Sequence, residues 1–125
     1  MKISIDLHGT LDKDPKGFSE YIDELVHDGH QIYVLTGCTY TDAISELAEL
    51  KLNLGNITEI KSVTDYLLEK QVPWENDKHG RPVFDESVWY GAKAAIARSE
   101  GFDLHIDNCV EFEKTFTTPF MLYEG

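Results

Sequence analysis

Lys2-Ile3-Ser4-Ile5-Asp6-Leu7-His8-Gly9-Thr10 opens the chain, and its alternation decides the fold. Ile3, Ile5 and Leu7 share one apolar register of period two, which predicts a first strand over residues 2–7 that stops at the turn signal Gly9-Thr10. Asp6 therefore stands where an apolar strand leaves its sheet.

Working outward, Phe18, Tyr21, Ile22, Leu25 and Val26 recur at helical spacing, and Gly29 supplies a stop. The run Gln31-Ile32-Tyr33-Val34-Leu35 is too short for a helix and ends in Thr36-Gly37, which predicts a buried parallel strand. A second helix is expected over residues 41–54, capped by Thr41-Asp42, with Ile44, Leu47, Ala48 and Leu50 on one face. A third strand over 57–60 and a shorter helix over 63–70 follow. Residues 71–85 contain Pro73, Gly80 and Pro82 and read as a long loop or frayed hairpin, packed onto the sheet by Trp74, Trp89 and Tyr90. Val88, Ala92, Ala95 and Ile96 form the stripe of a helix over 86–100 that Gly101 stops; strands over 102–107 and 119–123 complete the chain.

Strands alternating with helices place the chain in the α/β class, as a three-layer doubly wound parallel sheet of about five strands in one domain spanning 1–125. The 125 residues suffice for one core. In such sheets ligands bind beyond the carboxyl ends of the strands, which selects residues 6–10, 36–38 and 107–111.

Composition narrows the function classes. The apolar share of 42% and charged share of 27% are those of ordinary globular domains, and no apolar run approaches the length of a membrane span. The N-terminus meets Asp6 too early for a signal peptide, so a cytoplasmic protein is expected. A net charge of −12 disfavours nucleic acid and anionic lipid as partners, because both are bound through clustered Lys and Arg. Cys38 and Cys109 are expected as free thiols.

Asp6, Thr36 and Asp107 each end an apolar run. A half-desolvated carboxylate needs a metal ion or hydrogen-bond donors, and two of them near one another suit Mg²⁺ with a phosphate-bearing ligand. The segment from Ile3 to Leu11, Val34-Leu35-Thr36-Gly37, Lys93, and Leu104-His105-Ile106-Asp107-Asn108 with Glu111 resemble, in this order, the four motifs of the haloacid dehalogenase-like hydrolases. The resemblance implies Asp6 as nucleophile, forming an aspartyl-phosphate that water cleaves. It implies Mg²⁺ held by Asp6, the His8 backbone carbonyl and Asp107, with Asn108 and Glu111 as outer contacts. It further implies Thr36 and Gly37 as phosphate-binding residues and Lys93 as the cation beside Asp6 and the transferring group.

Phosphatases of that family carry a second aspartate two residues after the nucleophile; here His8 stands there. An imidazole can serve as acid and base near neutral pH. The alternative is a catalytically weak or silent module that binds a phosphorylated ligand or a protein. Residues 10–16 and 61–86 are too short for the family's cap domains. An open site then suits a phosphorylated small molecule or phosphoprotein, with a lid from a second copy of the chain as a further option. For other residues the plain readings prevail: His27, His30 and His79 at the surface, His105 as a satisfied strand residue, Lys61 and Lys78 as competitors of Lys93. A Zn²⁺ site drawing on Cys38, Cys109, His8 and Asp107 is the minor reading.

Overall fold

A computed structural model describes all residues, Met1–Gly125. The opening register forms β1 (Lys2–Ile5), followed by α1 (Pro15–His27), β2 (Gln31–Thr36), α2 (Tyr40–Glu49), β3 (Ile57–Ser62) and α3 (Val63–Glu69). Two short strands, β4 (Glu75–Asn76) and β5 (Pro82–Val83), lead to α4 (Glu86–Glu100), β6 (Leu104–Asp107), α5 (Val110–Glu113) and β7 (Phe120–Leu122).

The main sheet has the order β3-β2-β1-β6-β7, and all its neighbouring pairs are parallel. Alternation along β2 feeds both faces. Ile32 and Val34 join Phe18 and Ile22 of α1 and Ala43 and Leu47 of α2, whereas Tyr33 and Leu35 join Val63 and Leu67 of α3 and Ala92 and Ile96 of α4. The chain is thus an α/β protein with helices on both faces of a five-stranded parallel sheet. Winding runs outward from β1 to β3 and then returns to β6 on the other side of β1. The reversal leaves a crevice at the carboxyl ends of β1 and β6.

Local sequence explains most element ends. Asp14, Thr39, Ser62 and Asp85 cap α1, α2, α3 and α4 by accepting the backbone N–H of Gly17, Asp42, Asp65 and Ser87. The cap of α2 is Thr39, two residues before the expected Thr41. That helix also stops at Glu49 instead of running to residue 54, because Lys51 turns left-handed (φ 60°) and Leu52 folds into the core. β1 ends at Ile5 because the chain turns at once: Leu11 N–H donates to Asp6 O and Asp12 N–H to Leu7 O. The stretch read as loop or frayed hairpin contains the antiparallel pair β4–β5. No helix is long and apolar enough to cross a membrane.

Candidate active site

The period-two alternation that sends Ile3, Ile5 and Ile106 to one face sends Ser4, Asp6, His105 and Asp107 to the other. These four polar side chains are buried, and on the His105 ring Phe116 stacks and Phe120 packs edge-on; α4 supplies the cation. On that helix Ala92, Ala94 and Ala97 are small enough to bring the backbone close to the sheet, and Lys93 enters the polar column between them. Its ammonium lies 2.9 Å from Asp6 Oδ1 and 2.6 Å from Asp107 Oδ2, with the Phe112 ring centroid 4.3 Å away. Lys93 is only 2% exposed, so this ion pair is shielded from solvent.

The column is fully hydrogen-bonded. His105 Nε2 lies 2.8 Å from Asp107 Oδ2, and its Nδ1 lies 2.8 Å from Ser4 Oγ. Burial lowers the His105 pKa, with Asp107 acting against it, so the neutral ring donates from Nε2 and accepts from Ser4. Burial also raises Asp107, but the His105 hydrogen bond and the Lys93 charge outweigh it and hold this carboxyl below its usual range. Asp107 Oδ1 accepts the Cys109 N–H at 3.0 Å. Asp6 differs: burial, together with the charge of Asp107 and against the pull of Lys93, raises its pKa to about 6. Two carboxylates share one ammonium, and Asp6 carries the deficit.

Asn108 closes the column from the next loop. With its amide turned to satisfy its surroundings, the nitrogen donates to Asp6 Oδ2 at 3.2 Å and to the His8 carbonyl at 3.1 Å. This approach requires Gly9, whose φ is 85°; a methyl group there would come within 2.2 Å of the Asn108 amide. Gly9→Ala is expected to destabilise the fold by about 1–3 kcal/mol in urea denaturation, from left-handed strain plus displacement of Asn108. An unchanged midpoint would show that the turn tolerates both.

The remaining residues singled out in the sequence lie around this column. Thr36 is fully buried, with its hydroxyl 3.7 Å from Cys38 Sγ. The Gly37 carbonyl accepts Thr64 Oγ1 (2.6 Å) and Thr64 N–H (3.2 Å), and the Cys38 carbonyl accepts Ser62 Oγ (2.6 Å), so this loop is pinned by the β3–α3 junction. His8 does not turn its ring into the column: its side chain is 51% exposed and its Nε2 lies 2.5 Å from Glu46 Oε2. Cys109 Sγ donates to Glu111 at 3.4 Å, and Glu111 is exposed and outside the column. Lys61, on the edge strand β3, pairs with Glu59 and Glu100 instead. Lys78, in the exposed β4–β5 turn, takes no part in the column.

No model of a known protein family matches this chain, and no curated protein matches it.

Nothing in the sequence points to Glu46, and the sequence places Asn108, Thr10 and Trp89 without the contacts they make. Asn108 was expected only as an outer contact. Thr10, fully buried with its Oγ1 3.4 Å from the Asn108 amide, gave no signal beyond a turn residue. Trp89 rests on Gly37, where an added methyl would come within 2.8 Å of its ring. Glu46 reaches His8 across 38 residues of sequence, a distance no local pattern encodes. Trp89 could have been found, since it lies one helical turn before Lys93 and so shares its face.

Proposed function

We propose that the chain is a Mg²⁺-dependent phosphohydrolase of the haloacid dehalogenase-like type, acting on a phosphate ester through Asp6. The observation that carries this reading is the buried Lys93 ammonium bridging Asp6 and Asp107 at the strand-order reversal. A desolvated carboxylate positioned beside a fixed cation is a costly arrangement for a merely structural purpose, and such perturbed groups concentrate at catalytic sites.

The donors also suit the metal. Two carboxylates face one ammonium, so the site lacks positive charge, and Asp6 Oδ2 and the His8 carbonyl converge within 3.2 and 3.1 Å of one point, the Asn108 amide nitrogen. Asp6 and the His8 carbonyl would hold Mg²⁺, a hard ion that takes oxygen ligands, with Asp107, whose oxygens accept from Lys93, His105 and the Cys109 N–H, as the negative charge behind them. When bound, it supplies positive charge that offsets the repulsion between nucleophile and phosphate.

The chain's own residues do the rest. Asp6 attacks phosphorus, the bond to the ester oxygen breaks, and the leaving oxygen takes a proton from protonated His8. Water then attacks the aspartyl-phosphate, His8 accepts its proton, and the P–O bond to Asp6 breaks to release phosphate. Lys93 stays protonated beside the Asp6 carboxylate and stabilises charge on the transferring group. Glu46 orients the His8 ring, and His105 keeps Asp107 ionised and aligned. A hollow of about 360 Å³ lined by Pro82, Val83, Phe84, Glu86, Trp89 and Tyr90, mostly apolar, borders Gly37 through Trp89 and accepts the non-phosphate part of a substrate.

Rapid quenching during turnover of an aryl phosphate in Mg²⁺, followed by peptide mass spectrometry, is expected to find phosphate on Asp6. Hydrolysis without label on Asp6 would refute the covalent route. His8→Ala is expected to lower kcat about 10²–10⁴-fold in steady-state assays, and an unchanged kcat would remove His8 from the chemistry.

A second reading, a silent module that binds a phosphorylated ligand, is favoured by one observation: the His8 ring is engaged by Glu46 and not by Asp6. If the wild type is inactive and His8→Asp confers turnover, this second reading holds.

A further inference from the structure

We propose that His8, Cys38 and Glu46 form a binding site for a thiophilic divalent cation, of which Zn²⁺ is the type, on the rim of the candidate active site. One ligand atom from each residue, an imidazole nitrogen, the thiol sulfur and a carboxylate oxygen, lies within 4.8 Å of the other two. Tetrahedral Zn²⁺ with bonds of about 2.0–2.3 Å spaces its ligand atoms roughly 3.3–3.8 Å apart, so side-chain rotations alone close the site.

The three residues come from three separately anchored elements. His8 sits in the turn after β1, which the Leu11 N–H to Asp6 O bond and the Gly9 N–H to Asp12 Oδ1 bond (2.7 Å) hold. Cys38 is in the loop after β2, its carbonyl fixed by Ser62. Glu46 lies on α2, whose start Thr39 caps. Anchored backbones lower the cost of assembling a metal site, and the existing His8–Glu46 contact already orients two of the ligands.

The donor set selects the metal. A thiolate, an imidazole and a carboxylate suit Zn²⁺ and its neighbours, whereas Mg²⁺ and Ca²⁺ take oxygen ligands. This site therefore differs from the oxygen donors around Asp6 in chemistry as well as position. Three protein ligands leave a fourth position for water or a ligand atom, and the half-exposed His8 ring provides access. Cys109, the other thiol, pairs with Glu111 and takes no part. A metal on the His8 ring also removes it from acid–base work, so Zn²⁺ should inhibit the reaction proposed above; that consequence alone rests on that reading.

Titration of the reduced full-length protein with Co²⁺ tests the site directly. The expected result is stoichiometric binding with a thiolate-to-cobalt charge-transfer band and the intense visible bands of tetrahedral coordination, all bleached by Zn²⁺ and unaffected by excess Mg²⁺. Cys38→Ser should abolish the charge-transfer band, and Glu46→Gln should weaken binding by about tenfold or more. Cys109→Ser and Asp6→Asn should leave the spectrum intact. Should Cys38→Ser fail to fold, X-ray absorption of the Zn²⁺-loaded wild type decides the matter: one sulfur among nitrogen and oxygen ligands is expected. No charge-transfer band in the wild type, a band that survives Cys38→Ser, or a sulfur-free zinc shell would overturn the proposal.

Discussion

Asp6→Asn is expected to lose turnover of an aryl phosphate in Mg²⁺ by about 10³-fold or more, while the metal-free variant is more stable than the wild type at neutral pH. Both effects have one cause. On the proposed mechanism the desolvated carboxylate is the nucleophile, and an amide there has neither that reactivity nor a charge to desolvate. Folding moves the Asp6 pKa from 3.8 to about 6, and each unit of such a shift corresponds to about 1.4 kcal/mol. That shift already contains the opposing pull of Lys93, so the uncharged amide has an expected gain of about 1–3 kcal/mol.

The pH dependence follows in sign. A group whose pKa is raised on folding contributes its stability fully below the unfolded value, here 3.8, and loses it as pH rises through the folded value, here about 6. The advantage of Asp6→Asn should therefore be largest near pH 7 and vanish as pH falls toward 4. Comparing the two proteins also cancels the opposite trend of His105, whose lowered pKa costs stability as pH drops through its unfolded value. Urea midpoints of both proteins at several pH values check this. Full turnover by Asp6→Asn would remove Asp6 from the chemistry, and a loss of stability at pH 7 would mean that the Lys93 pair outweighs burial.

Lys93→Met should have the opposite effect on the fold. It leaves Asp6 and Asp107 buried without their shared cation, a loss of the kind that costs about 3–5 kcal/mol. Against a total of about 5–15 kcal/mol for a domain, this brings the protein to the edge of unfolding. Circular dichroism and urea titration in EDTA should show a large fall in midpoint. Adding Asp6→Asn to Lys93→Met should recover part of the loss, because it removes one of the two stranded charges. If Lys93→Met alone matches the wild type, the bridge contributes nothing to folding.

Much of the fold was legible because hydrophobic alternation is local. The registers of Ile3 and Ile5, of Gln31 to Leu35 and of the 86–100 helix each lie within a few neighbours, and the stop signals of Gly29 and Gly101 lie there too. Element ends strayed where a tertiary contact overrode them: burial of Leu52 ended α2 early, and the turn at Gly9 shortened β1. The positions of Asp6, Thr36 and Asp107 at strand ends were readable for the same reason, as was Lys93 on the last long helix.

The amino-acid order by itself determined which faces of which elements are apolar, that strands alternate with helices, and that carboxylates stand where β1 and β6 leave the sheet. Only the tertiary structure decided that one ammonium serves both carboxylates, that Asn108 lies over Gly9, and that the His8 ring meets Glu46, within 4.8 Å of the Cys38 thiol, instead of Asp6. Periodicity is a property of neighbours along the chain, whereas the partner of a side chain depends on packing between segments tens of residues apart and on which charges burial forces together.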